Sequence, residues 1–226
     1  MHDGLFADRL DAGRTLGERV ALCHDLPDPV VVALPRGGVP VGAEVARRLG
    51  APLVAMPVGK VGAPGREELA VGAVAPGGVT ALNWDVIAVL HLGPDEVDDL
   101  VSKTAAKVAH QVELYGREGQ GVPLSGRSVV VVDDGLATGA SMRAALIAVR
   151  ALHPQRLVLA VPVAAPEALA SLAPLVDEQV CVVRPERMQA VGAWYKDFSQ
   201  TTDAEVAELL AELGAQAAAP ARLSKP

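Results

Sequence analysis

The chain has 226 residues, 50% of them hydrophobic but only 3% aromatic, so Val, Ala and Leu must fill the core. Its 20 Lys and Arg against 27 Asp and Glu leave a net charge of −7, a poor electrostatic match for a nucleic-acid backbone. No run approaches the length of a membrane span, the N-terminus MHDGLFADRL lacks the apolar stretch of a secretory signal, and the two cysteines, far apart in sequence, read as free thiols; a cytoplasmic protein with no membrane or nucleic-acid partner is expected.

Residues 4–23 read as an amphipathic helix with Leu5, Leu16 and Val20 among its apolar positions. PVVVALP, 29–35, is a continuous apolar run, the mark of a strand buried on both faces. It ends at Arg36, Gly37 and Gly38. VPVGAEVARRL, 39–49, reads as a helix stopped by Gly50, and APLVAMPV, 51–58, as a second strand. The Gly-rich, charged stretch that follows, through Glu68, reads as a mobile loop. AVGAVA, 70–75, and VTAL, 79–82, suit a hairpin about Pro76, Gly77 and Gly78. Residues 94–118 give the clearest helical pattern, with Pro94, Asp95 and Glu96 suited to its first turn and Val97, Val101, Val108, Val112 and Tyr115 on one face. SVVVVD, 128–133, is the next buried strand; its following helix carries Met142, Ala145, Leu146, Val149 and Leu152. A strand at 156–163, a helix near 166–173, a strand at 179–183 and a last helix complete the chain. Thr202 and Glu205 have capping-box spacing for that helix, and Gly214 stops it.

Strand and helix alternate through most of this pattern, which predicts an α/β fold: a mostly parallel sheet flanked by helices. A single domain over 1–214 is expected, with residues 215–226 a disordered tail. In such sheets ligands bind beyond the carboxyl ends of the strands, and two loops lie at such ends, 35–38 and 133–141.

The second of these loops closes the stretch VVVVDDGLATGAS, 129–141. Ala137, Thr138, Gly139, Ala140 and Ser141 are small and lead into a helix N-terminus, where free amides and the helix dipole favour an anion. The sequence contains neither a Walker loop nor a dinucleotide fingerprint. Asp133 and Asp134 stand just ahead of this cradle. Carboxylates repel phosphate, so a ligand that needs both halves must carry hydroxyls or a metal beside its phosphate. A ribose 5-phosphate does so, with its diol on the acids and its phosphate on the turn.

Four hydrophobic residues, two acids, three variable residues and then Thr-Gly-x-Thr/Ser strongly resemble the signature of type I phosphoribosyltransferases, which bind phosphoribosyl pyrophosphate (PRPP). The resemblance implies that family's fold with a small hood, expected here from about 184–200 plus the N-terminal helix. It implies a transferase of nucleotide metabolism that moves the phosphoribosyl group of PRPP to a nitrogenous base, with Mg²⁺ as cofactor, in a homodimer. Asp133 and Asp134 would hold the diol and Ala137 to Ser141 the 5-phosphate. ALPRGGVP, 33–40, looks like the family's pyrophosphate loop, with Arg36, Gly37 and Gly38 as ligands and a non-proline cis peptide at Pro35–Arg36 or Arg36–Gly37.

GKVGAPGREELA, 59–70, lies where the family has a closing loop, so Lys60 and Arg66 would supply charge to the departing pyrophosphate. VGAWYKDF, 191–198, holds Trp194, Tyr195 and Phe198, half of the six aromatics in the chain, and resembles a hood that stacks the acceptor base. Asp197 resembles an acid that helps bind a second magnesium in hypoxanthine-guanine members, offset here by one residue. Members acting on 6-oxopurines carry Asp before the Thr-Gly pair; Ala137 stands there instead, so the acceptor stays open. The alternative from another class is a PRPP- or nucleotide-binding regulator with little catalysis. A haloacid-dehalogenase-type phosphatase needs acids two residues apart, and here they are adjacent. The five histidines show no metal-ligand spacing.

Overall fold

In a computed structural model, residues 5–23, 26–115 and 122–214 are described. The elements run in the order α1 (Arg9–Val20), β1 (Pro29–Ala33), α2 (Gly38–Leu49), β2 (Leu53–Ala55), β3 (Gly59–Ala63), β4 (Arg66–Ala75), β5 (Val79–Leu82), α3 (Trp84–Val89), α4 (Pro94–Tyr115), β6 (Ser128–Val132), α5 (Ala140–Arg150), β7 (Arg156–Val163), α6 (Pro166–Leu172), β8 (Glu178–Val183) and α7 (Asp203–Gly214).

The central sheet has five parallel strands in the order β2-β1-β6-β7-β8. The valine runs have a direct cause. In β6, Val129 and Val131 point into one core with α5 and α6, while Val130 and Val132 point into the other with α2 and α7. β1 and β7 divide their side chains in the same way, so a strand covered on both faces shows no polar alternation. From β1 the chain steps outward to β2; from β6 it steps the other way, to β7 and β8. The order reverses between β1 and β6, which brings the loop after each to a common crevice.

Between β2 and β6 the chain inserts a second, antiparallel sheet, β3-β4-β5, followed by α3 and α4. One face of this small sheet, with Ala73, Ala75, Val79 and Ala81, joins the core under α5; the other, with Val61, Ala63, Val71 and Val74, packs on Ile87 of α3 and Val97 of α4. The stretch expected to be a mobile loop is therefore a hairpin. Gly59 pairs with Val74, Lys60 with Ala73 and Val61 with Gly72, before a bulge near the tip. Its Gly and charge content masked the two buried positions, Val61 and Ala63, that hold it to its neighbours.

Some boundaries differ from the pattern, and others lie outside the described residues. α1 starts at Arg9 rather than 4, because the Asp8 carboxylate accepts from the Asp11 amide and caps it. Phe6 is instead extended and bridges Tyr195. β2 covers only Leu53–Ala55, shortened by the prolines on either side. α4 is described to Tyr115, and the end of the pattern at 118 and the tail at 215–226 lie outside the described residues. No described helix is long and apolar enough to cross a membrane.

Candidate active site

The two glycine-bearing loops meet beyond the carboxyl ends of β1 and β6. The Pro35–Arg36 peptide is cis. Gly37 and Gly38 then pass close to the acids, so that a side chain on Gly37 would collide with Asp134 and one on Gly38 would press tightly on the Asp133 backbone. A methyl on Gly37 would lie 2.1 Å from Asp134 Oδ2, and one on Gly38 would lie 3.0 Å from the Asp133 Cα. Their composition is thus set by contact between the loops. The Gly38 amide donates to the Leu34 carbonyl at 3.0 Å, so its part differs from the anion donor expected: it supplies room. Arg36 is not among the described residues lining the cradle's hollow; its Nη1 lies 3.7 Å from Asp203 Oδ1 at the start of α7. Tyr115 donates its hydroxyl to the same carboxylate, and burial, reinforced by that bond, pushes the Tyr115 phenol up to about 12.

On the β6 side, Asp133, Gly135 and residues 136–142 line one hollow of about 210 Å³ together with Val191. Asp133, Ala137, Thr138, Gly139, Ala140 and Ser141 are therefore brought together as the motif predicts. Leu136 is pinned to the end of β7, its amide donating to Val163 and its carbonyl accepting from Ala165. Gly139 takes φ 76°, left-handed, and turns the chain into α5 without any side-chain cap. The amides of the first turn are left to a ligand or to solvent. Burial pushes the Asp133 carboxyl well above the usual range, and the neighbouring Asp134 charge adds to this. Burial also raises Asp134, against the opposing pull of Arg9, whose Nε lies 2.9 Å from Asp134 Oδ2.

Thr138 and Ala140 also border a larger cleft, about 870 Å³, whose opposite wall carries Lys60, Asn83 and Trp84. Lys60 thus reaches the site from a strand rather than from a loose loop. Arg66, at the hairpin tip opposite Ala63, is not among the described residues lining either hollow. Arg143, which sequence reasoning did not single out, borders the cleft and donates to the Ser171 carbonyl at 2.8 Å.

The aromatic segment is arranged differently from the expected stacking platform. Tyr195 is 6% exposed, with the Phe6 and Phe198 rings at 5.5 and 5.0 Å. Its hydroxyl donates to the Asp134 carbonyl at 2.5 Å, and burial drives its phenol far up. Tyr195 therefore braces the acid loop and has no face left for a base. The Trp194 carbonyl accepts from the Phe6 amide, and Phe198, partly exposed, carries the Arg9 guanidinium 3.9 Å above its ring. Asp197 is not among the described residues lining the cradle's hollow; it borders a different one with Asp8, Arg9 and Glu205. Hydrogen bonds from Ser199 hold its carboxyl below the usual range, and no group of three His, Cys, Asp or Glu among the described residues can hold a metal. This does not fit a resident cage at Asp197.

Arg9 was missed because nothing in its helix marks it apart from Arg14 and Arg19. The available signal was the scarcity of aromatics: Phe6, three residues earlier, is one of six in the chain.

A family model described as "Phosphoribosyl transferase domain" matches residues 9–171. A Mycobacterium tuberculosis protein bearing the name "Putative phosphoribosyl transferase Rv0571c" is 43% identical over 206 residues, 91% of this chain. The match spans 46% of that relative, so the chain covers less than half of the longer protein. The crystal structure of TT1426 from Thermus thermophilus is 44% identical, covers 92% of this chain and 99% of its own, and superposes with a TM-score of 0.79. A hypothetical protein from Neisseria gonorrhoeae with bound ppGpp, 14% identical at a TM-score of 0.52 over 93% of this chain and 96% of its own, shares the fold.

Proposed function

Because the chain belongs to the phosphoribosyl transferase family, we propose that it transfers the 5-phosphoribosyl group of PRPP to a nitrogenous base and releases pyrophosphate. One observation carries this reading: an acid from the end of β6 and the Thr-Gly cradle line a single hollow, and the 35–38 loop touches the acid pair at its rim. A ligand that fills it needs hydroxyls and a phosphate a few bonds apart, as a phosphoribosyl group has.

In this reading the 5-phosphate rests on the amides and hydroxyls of 137–141, at the positive end of α5. The carboxylates after β6 accept from the ribose diol and favour positive charge as the C1′–O bond breaks. Arg36 and Lys60 stabilise the departing diphosphate, Arg36 after leaving Asp203. Magnesium bound to the diphosphate would neutralise the leaving group. Little covalent chemistry is asked of the protein; it positions the reactants and arranges charge.

The test is a pyrophosphate-release assay with PRPP, Mg²⁺ and a panel of nitrogenous bases. Turnover is expected with at least one base and should fall by about a hundredfold or more in the Asp133→Asn, Asp134→Asn double variant. Undiminished turnover in that variant would remove the acids from the reaction. The burial of Tyr195 favours a second reading, a PRPP-binding regulator without an acceptor platform. Calorimetric binding of PRPP with no turnover on any base selects it.

A further inference from the structure

The two acids after β6 are not equivalent, and the difference originates on α1. Asp133 lines the hollow with Thr138, Gly139 and Ser141, whereas Asp134 is not among the described residues lining it. Asp134 Oδ2 accepts instead from Arg9 Nε at 2.9 Å, and both side chains are largely shielded, at 12% and 15% exposure. Arg9 Nη1 donates to the Ser199 carbonyl at 2.6 Å, and the guanidinium lies 3.9 Å above the Phe198 ring. A methyl on Gly37 would meet both Asp134 Oδ2, at 2.1 Å, and Arg9 Nε, at 3.1 Å. One guanidinium thus stands where the acid loop, the 35–38 loop and the 191–199 segment converge. Tyr195 completes the bracing by donating to the Asp134 carbonyl.

The chemistry suits arginine specifically. A planar, permanently charged fork can satisfy a carboxylate with one nitrogen, a carbonyl with another and an aromatic face with its plane; a lysine ammonium lacks that set of directions. A shielded ion pair of this kind does little for stability but makes the loss of one partner expensive, which is how a conformation is enforced.

The geometry points to Arg9 as a positioning residue: by engaging Asp134 it fixes the acid turn against the 35–38 loop and the hood segment, leaving Asp133 as the carboxylate presented to the ribosyl group. This rests on the functional reading above and divides the acid pair within it.

The test is calorimetry of PRPP with Mg²⁺ on the full chain, wild type against Asp133→Asn, Asp134→Asn, Arg9→Gln, Arg9→Lys and the Arg9→Gln, Asp134→Asn double variant. Asp133→Asn should weaken binding by about a hundredfold. Arg9→Gln and Asp134→Asn should each weaken it by about tenfold, the factor for one hydrogen bond to a charged group. The double variant should bind no more weakly than the worse single, because both changes remove one interaction. Arg9→Lys should fall between wild type and Arg9→Gln. Calorimetry separates the roles: a residue that only supports folding lowers the stoichiometry and leaves Kd unchanged. An unchanged Kd in Arg9→Gln, additive losses in the double variant, or Asp134→Asn as damaging as Asp133→Asn would each overturn the inference alone. A wild-type protein that does not bind PRPP overturns the functional reading and this inference with it.

Discussion

At the scale of single residues, the site is organised by what is missing as much as by what is present. Gly37 has an ordinary right-handed backbone, so its identity follows from the 2.1 Å a methyl would leave to Asp134 and not from its dihedral angles. The sequence made Gly37 and Gly38 visible as a loop, but that contact links residues nearly a hundred positions apart and no local pattern encodes it. Asp133 and Asp134 were legible because two acids closing an apolar strand conflict with every local preference. Their inequality was not, since it depends on Arg9. The acids also carry a stability cost. An acid whose folded pKa is raised binds its proton more tightly in the folded state, so at neutral pH its ionised form opposes folding. That penalty is complete above the raised value and absent below the ordinary carboxylate range. Asp133→Asn should therefore raise the thermal midpoint at pH 7, by about 2–4 °C per kcal/mol recovered, and the gain should vanish as the pH is lowered into the usual carboxylate range. Thermal denaturation of both proteins across pH checks this, and a midpoint at pH 7 that stays level or falls contradicts it.

At the scale of elements, most segments were readable, and the miss that matters for the site is β3. α4 announced itself because burial on one face leaves a period in the sequence, and the strands β1, β6 and β7 because burial on both faces leaves a continuous apolar run. β3 did not: five residues with two glycines, Gly59 and Gly62, carry little pattern, and pairing with β4 together with packing on α4 makes them a strand. The capping box of α7 is present in full. Thr202 Oγ1 accepts from the Glu205 amide at 3.2 Å, and Glu205 Oε2 accepts from the Thr202 amide at 2.7 Å. The helix it starts buries Val206, Leu210 and Leu213 in the core shared with α2. Thr202→Ala should cost about 1 kcal/mol of unfolding free energy. Urea denaturation reads that loss as a lower midpoint at constant slope.

At the scale of the whole molecule, topology decides where chemistry can happen. The alternation of strands and helices predicted the parallel sheet but not its strand order, whose reversal between β1 and β6 places both loops at one crevice. The insert between β2 and β6 was only half legible: its β4–β5 hairpin was predicted, but not that β3 would extend it into a sheet whose Lys60 lines one cleft with Thr138. Since the crevice joins loops from distant parts of the chain, a ligand there should stabilise all of the fold. PRPP with Mg²⁺ at a hundredfold excess over Kd should add about 2.7 kcal/mol, roughly 5–10 °C in the thermal midpoint, and should fail to do so in Asp133→Asn. Differential scanning fluorimetry of the two proteins is the measurement. One further arrangement bears on motion. The backbone at Phe6 and Ala7 is laced to Trp194, Lys196 and Asp197 by three amide-to-carbonyl bonds, immediately before Arg9 and beside Tyr195. Fraying of that seam would slacken the two braces of the acid turn together, so Phe6 and Ala7 act as the latch on a wall of the hollow that lies far downstream in the chain.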